Sequence, residues 1–581
     1  MNPAYPIIQR DDRDRYLVMV VLVVVCSLVM GAPLLFVLIA SIRGPSDYLP
    51  IEDGAHWTLG NFINFYSDRS LYTEILPNTV VLAGGSLLLS CSMALALAWQ
   101  FERAASRSNT WARIMILLPL ALPTPALAIA WIRLLGPNVG WFNEMWRALT
   151  NSSPDSGPLN IFSMAGLIWC QGTAGIPVAY LLLSPAVKSV RRDLEEAAHV
   201  SGAGPLKTFL RITLPTAAQA FSGPLLIMCV VALEQVDFPY IIGPTAGINV
   251  LGTRIMYEMS SPSGLPNIGA ISAAALLLLI LSSVCLALNG FLNKRSIGAA
   301  GVGLQGRRSS TPGGDAFRKW WVWVLVVVYF AIAFAAPVLA LLLSAAPAVG
   351  VGNGVSGNGC CGHVLHDMVH SSRFWGAWKD TLLVAGFSAV VGTLVGLAIS
   401  LCCFGRKDPI SRCLDNLSIS SIAIPPVIIA FGMAIVFLSI PFGLYGTIGA
   451  LMVAYCYRIA VSTRMTSGAM AQIGDSMQDA ATVCGVRWAR IQISIVIPLI
   501  APSIFFSAVF LFIVGIKEFA IPLMLSSPGS NVLSVMLLQQ NQAGDTVAAA
   551  VTAIGMMLFA ALGVIGLVCA ETSFAKAWGR R

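Results

Sequence analysis

The sequence predicts an all-helical polytopic membrane protein of two tandem halves with six spans each, and three observations predict it. Hydrophobic residues fill 57% of the 581 positions and charged residues 11%, with a mean hydropathy of +0.79; water-soluble chains are typically about one quarter charged. Apolar runs of about 20 residues, enough for a helix to cross a ~30 Å hydrocarbon core, recur from end to end. A polar motif in the first half returns in the second at a fixed distance.

The runs centre on residues 17–42, 78–100, 112–135, 160–187, 216–236, 268–292, 320–345, 380–404, 416–440, 443–466, 499–525 and 547–571, about twelve spans in all. The first follows Arg10, Arg13 and Arg15 and is too long for a signal-peptide core, so it reads as a retained helix with a cytoplasmic amino terminus. Most of the 35 Lys and Arg residues then fall in cytoplasmic segments, as the resistance of basic residues to translocation requires, and both termini are expected inside. Their scatter over short loops and tails accounts for the formal charge of +8 and argues against nucleic acid as a partner. Eleven of the thirteen cysteines lie in spans or cytoplasmic loops, where thiols stay reduced and pack as small apolar groups. The other two, Cys360 and Cys361, precede His363, His366 and His370. That string has metal-ligand residue types, but reads first as a Gly-rich outer loop of incidental composition.

Residues 1–293 form the first transmembrane unit, 294–318 a cytoplasmic linker and 319–581 the second unit. The linker turns Gly- and Ser-rich after Lys294 and Arg295 and is expected to act as a tether. An even number of spans per half leaves both halves in the same orientation. In the third span, Pro123 and Pro125 have counterparts in Pro425 and Pro426 of the ninth, and are expected to kink helices that a bundle can tolerate.

The motif reads Glu195-Glu196-Ala197-Ala198-His199-Val200-Ser201-Gly202 and closes on Pro215. It returns as Asp479-Ala480-Ala481-Thr482-Val483-Cys484-Gly485, closing on Pro498. From 196 to 479, 202 to 485 and 215 to 498 the offset is 283 residues. Good helix formers ended by Gly202 and then Gly204-Pro205 specify a short helix with a left-handed stop. The alanine pair offers a flat face for close approach, and the acid a partner for a cation.

These residues resemble the EAA signature of permease subunits of bacterial binding-protein-dependent ABC importers. The resemblance covers nearly the whole chain and implies a type I ABC importer permease fold, like the fused permeases of the ferric-iron, thiamine and 2-aminoethylphosphonate group. It implies an ATPase-coupling role for Glu195, Glu196, Ala197, Ala198, Gly202 and Pro215 in loop 195–215, and for Asp479, Ala480, Ala481, Gly485 and Pro498 in loop 478–498. The Asp in the second copy shortens the reach of the acid. The implied partners are two copies of an ABC ATPase subunit, a periplasmic substrate-binding protein and the lipid bilayer of the bacterial inner membrane. The sequence contains no Gly-Lys-Ser or Gly-Lys-Thr of a phosphate-cradling loop, so ATP is expected on separate subunits, with no cofactor and no catalytic activity in this chain.

The strings Leu194-Glu195-Glu196-Ala197-Ala198, Ser201-Gly202-Ala203 and Ala232-Leu233-Glu234 look most like iron-type permeases. Ferric iron is thus the first expectation for the substrate, with thiamine, 2-aminoethylphosphonate and polyamines as alternatives. A gradient-driven secondary transporter of the major-facilitator type also has twelve spans in parallel halves, but it places ionisable residues deep in several spans and needs no docking loops. Ionisable groups inside a bilayer cost about 2.5–3.5 kcal/mol each and therefore mark partners or a polar path. Here they are Glu234, Asp237, Lys517 and Glu518, expected to line a translocation path or its outer gate, with Glu234 and Lys517 approaching each other across a pseudo-twofold axis. Arg458 and Arg464 are expected to end the tenth span and snorkel to the interface.

Overall fold

The computed structural model describes residues 5–44, 49–104, 110–151, 157–189, 192–259, 266–300, 316–346, 363–406, 408–440, 443–473, 481, 483–527 and 529–578. Among these residues the only β structure is one antiparallel pair, Arg43–Gly44 with His56–Trp57. Eight helices are long and apolar enough to cross a membrane: Arg15–Ser41, Leu71–Phe101, Met164–Val187, Ile268–Asn289, Trp320–Ala345, Ser372–Cys403, Trp488–Lys517 and Thr546–Ala570. Three further spans are sharply bent: Thr110–Ala121 with Thr124–Leu135 at 94°, Phe209–Ala218 with Ala220–Glu234 at 78°, and Pro409–Ala423 with Pro426–Ser439 at 106°.

The first and third of these bends fall on the expected prolines. Pro123 and Pro425 are both extended, at φ −62° ψ 135° and φ −56° ψ 140°, and each stands immediately before a new helix. Neither can donate to the preceding ladder, so the chain turns and restarts. The tenth span differs from expectation. Instead of one helix over 443–466, Ile448–Tyr455 and Ile459–Ile473 are separated at Cys456-Tyr457-Arg458, because Arg458 turns into the protein interior. Its counterpart Met164–Ser189 is continuous. The sixth-span helix Ile268–Ala300 runs through Lys294 and Arg295, with no proline to stop it, and the next described helix begins at Ala316.

Other prolines stand just after a widened helical turn. Five described π turns, Ser27–Gly31, Leu71–Ile75, Phe209–Thr213, Ala331–Ala335 and Gln492–Val496, each have a proline two residues beyond: Pro33, Pro77, Pro215, Pro337 and Pro498. A proline ring crowds the carbonyl four residues earlier; a widened turn moves that carbonyl aside and lets the helix continue. Two of these turns lead into matched helices, Leu214–Glu234 and Ile497–Lys517, each of 21 residues.

The halves interdigitate. Ala32–Ser41 packs on Pro426–Ser439 of the second half, and Ala336–Ala345 on Thr124–Leu135 of the first. The last spans cross over too, Ile268–Ala300 to Pro409–Ala423 and Thr546–Trp578 to Thr110–Leu117. The bent third and ninth spans are thus held between elements of the opposite half, whereas Leu214–Glu234 packs mainly on Ile268–Ala300, Met164–Ser189 and Leu76–Ala104 of its own half. Arg15 adds a tie, donating Nε to the Cys402 carbonyl at 2.9 Å and Nη2 to that of Phe404 at 3.1 Å, with its guanidinium 5.0 Å from the centre of the Trp488 ring.

Gly432 is where the crossing is tightest: a Cβ there would stand 2.7 Å from the backbone oxygen of Pro33. Gly432→Val is expected to destabilise the purified protein by about 1–3 kcal/mol. Gly386→Ala, in a helix where a Cβ meets nothing within 4 Å, is expected to be neutral or stabilising by about 0.5–1 kcal/mol. Denaturation in detergent with both variants checks this.

Candidate functional site

The first motif forms the helix Arg192–Val200. Gly202 follows with φ +81°, and the Ala203 amide donates to the Ala198 carbonyl at 2.9 Å. In the second copy Gly485 has φ +74° and the Val486 amide donates to the Ala481 carbonyl at 3.2 Å. Both ends therefore close by the same 6→1 hydrogen bond over a left-handed residue, a conformation that glycine adopts without steric cost. Asp479 and Ala480 lie outside the described residues.

Within the first helix, Ala197 is exposed and Ala198 buried. Glu195 accepts a 2.6 Å hydrogen bond from Thr213 Oγ1, and Thr213 is fully buried in the π turn below the fifth span. That oxygen faces inward and fastens the motif helix to the span. The position of Thr213 in the repeat is Val496, which is buried with Met470, Ile491 and Ile500 while Ala481 packs against them. Among the described residues the second loop is seated by apolar contact; Gln478, at the position of Glu195, lies outside them. Pro215 and Pro498 are exposed at the starts of the matched 21-residue helices.

Sequence reasoning passed over two residues here. Val200 and Val483, again 283 apart in 200 and 483, are 90% and 88% exposed. An apolar residue between the alanine pair and the glycine, repeated in both polar loops, was the available signal. Each is a bare apolar knob at the tip of its loop.

At the far ends of the matched helices stand Glu234 and Lys517, each the last residue before a two-residue break. Lys517 Nζ donates to the Leu120 carbonyl at 3.0 Å, just before the bend of the third span. Asp237 accepts from the hydroxyl of Thr124, the first residue of the helix after that bend. Glu518 pairs with Arg458 at 2.6 Å, with side-chain exposures of 7% and 24%, and Arg458 Nε donates to the Tyr457 hydroxyl at 2.9 Å. Glu234 Oε1 is buried without a hydrogen-bond partner, within electrostatic reach of Arg458 and Glu518.

The four expected residues therefore do gather, though Glu234 and Lys517 join one cluster rather than forming a pair. The cation near Glu234 is Arg458, and the carboxylate first in reach of Lys517 is Asp237. Arg458 does not snorkel: an interior guanidinium needs a counter-ion, and Glu518 supplies it. The hint in the sequence was Tyr457-Arg458 inside an apolar run, where the first half has Ala174-Gly175. Arg464 is exposed and pairs with Asp415 at 2.8 Å. His366 and His370 stack with ring centres 4.0 Å apart, but among the described residues no three His, Cys, Asp or Glu converge on a metal position. Cys360 and Cys361 lie outside the described residues.

Two interlocked helical halves, each with a loop presented on one face and a polar break deep in the bundle, define a membrane-embedded permease. The chain belongs to the family of binding-protein-dependent transport system inner membrane components, which matches residues 86–298 and again 389–577, once in each half. It is a fused permease subunit of an ABC importer, a multi-pass membrane protein that works with an ATPase and a substrate-binding protein. Among its relatives is the putative ferric transport system permease protein FbpB 1 of Haemophilus influenzae, 21% identical over 439 residues, covering 75% of this chain and 67% of the relative. The ferric transport system permease protein FbpB of Actinobacillus pleuropneumoniae is 20% identical over 476 residues, 81% of this chain and 67% of the relative. The sn-glycerol-3-phosphate transport system permease protein UgpA of Yersinia enterocolitica is 28% identical over 224 residues, 37% of this chain and 72% of the relative.

Removing one member of a buried ion pair strands the other. Arg458→Met is expected to destabilise by about 3–5 kcal/mol, and the double substitution Arg458→Met with Glu518→Met to recover most of that loss. A double-mutant cycle measured by chemical denaturation checks it.

Proposed function

We propose that this permease carries ferric iron, released to it by a periplasmic binding protein, and that two ATPase subunits seat on its two motif loops from the cytoplasm, where both termini lie. ATP is bound by those subunits. The observation that carries the docking assignment is the matched pair of loops, with the same closing hydrogen bond and the same exposed valine in each half. Iron is supported by likeness to two ferric permeases over 75% and 81% of the chain, against 37% for the glycerol-phosphate permease. Thiamine, 2-aminoethylphosphonate and polyamines are the competing substrates.

Each loop stands at the foot of a 21-residue helix, bent by 78° in the first half and continuous in the second, whose other end carries Glu234 or Lys517. Closing the ATPase pair draws the loops together and shifts these helix ends against each other, so Glu234, Asp237, Lys517 and Glu518 line the path that opens. The hydrogen bond from Thr213 to Glu195 keeps the first loop from yielding under that load.

Val200→Asp together with Val483→Asp is expected to weaken ATPase binding by at least about 2 kcal/mol per docking site, roughly 30-fold, and to abolish uptake. Copurification and uptake of radiolabelled ferric iron into proteoliposomes holding the ATPase and binding protein test both statements. Uptake is expected to stop with vanadate. Uptake that ignores vanadate and collapses with an uncoupler would instead be that of a gradient-driven carrier.

A further inference from the structure

The charge cluster has an imbalance that the permease reading does not use. Three carboxylates, on Glu234, Asp237 and Glu518, face two cations, on Arg458 and Lys517. With all five ionised, one negative charge is in excess. Both cations are already engaged, Arg458 by Glu518 and Tyr457 and Lys517 by the Leu120 carbonyl. Glu518 has Arg458 and Asp237 has Thr124, whereas Glu234 keeps a buried oxygen with no hydrogen bond at all. A carboxylate in that condition costs several kcal/mol, and the cation in its electrostatic reach, Arg458, is already paired with Glu518.

We propose that this cluster is a transit site for a cationic substrate, with the Glu234 carboxylate as its ligand. A cation arriving between the halves completes the charge set; a phosphate ester would add to the excess. Tyr455, Tyr457 and Ser388 are among the residues that line a cavity beside Arg458. No chelating cage of three His, Cys, Asp or Glu exists among the described residues, so the cation is held loosely, as a site that must also release its cargo requires. Arg458 is paired with Glu518 of its own half at 2.6 Å and lies within electrostatic reach of Glu234 of the other, so a cation at Glu234 leaves that pair in place. The inference rests on the importer reading in taking the ligand to be the transported substrate. Its class is wider than iron, covering metal cations and organic ammonium ions alike.

The test uses the full chain in lipid nanodiscs with terbium(III) as the probe, since the neighbouring tyrosines sensitise its emission. Saturable emission is expected, weakened at least about tenfold by Glu234→Gln and unchanged by Asp53→Asn, an exposed carboxylate far from the cluster in sequence. Spermidine or ferric ion is expected to displace the probe. A Glu234→Gln titration that matches the unaltered protein overturns the site, as does a rise in unfolding temperature with sn-glycerol 3-phosphate but not with spermidine. Displacement by spermidine but not by ferric ion keeps the cation site and ends the iron reading. Iron uptake that persists undiminished in Glu234→Gln keeps iron and ends the site.

Discussion

A backbone carbonyl set free inside hydrocarbon must find a donor, and most of this architecture follows from how two such groups are answered. The proline break of the third span frees Leu120, whose oxygen takes the ammonium of Lys517 from the other half. The break of the ninth span leaves the Ala423 carbonyl, which receives the Ser282 hydroxyl at 2.6 Å, again from the other half. Water cannot serve these groups in a bilayer, so each half completes the backbone of its neighbour. The interdigitation is in that sense forced, and separate folding of the halves would leave both breaks exposed.

Much of this could be read from the residues because the repeat keeps its register from the motif to the charge cluster. Gly202 announced a left-handed turn, and Pro123 and Pro425 announced bends; a local steric rule decides each. Arg458 and the division of the tenth span were hidden, because they depend on a counter-ion, Glu518, sixty residues away in sequence and adjacent only after folding. Val200 and Val483 were in view within the motif but carried no rule that marks an exposed apolar side chain. The inward turn of Glu195 likewise needed Thr213 to be placed beside it. The helical run through Lys294 and Arg295 was masked by the Gly-rich composition that follows.

The prolines show how similar sequence marks give different shapes. Those two residues beyond a π turn keep their helix running, whereas Pro123 and Pro425 end one helix and begin another. The difference lies in the preceding turn, which in the first group widens to clear the ring. The second loop therefore joins one continuous span, Trp488–Lys517, whereas the span above the first loop bends by 78° between Ala218 and Ala220.

The two loops are alike in outline and unlike in footing. Glu195 holds its helix through one short hydrogen bond to Thr213, a directional contact that breaks abruptly when stretched. The repeat rests on Val496, Met470 and their neighbours, a contact that slides and loosens by degrees. Among the described residues, then, a pull along the first helix is borne by a contact with a fixed direction, and a pull along the second by packed side chains that can shift.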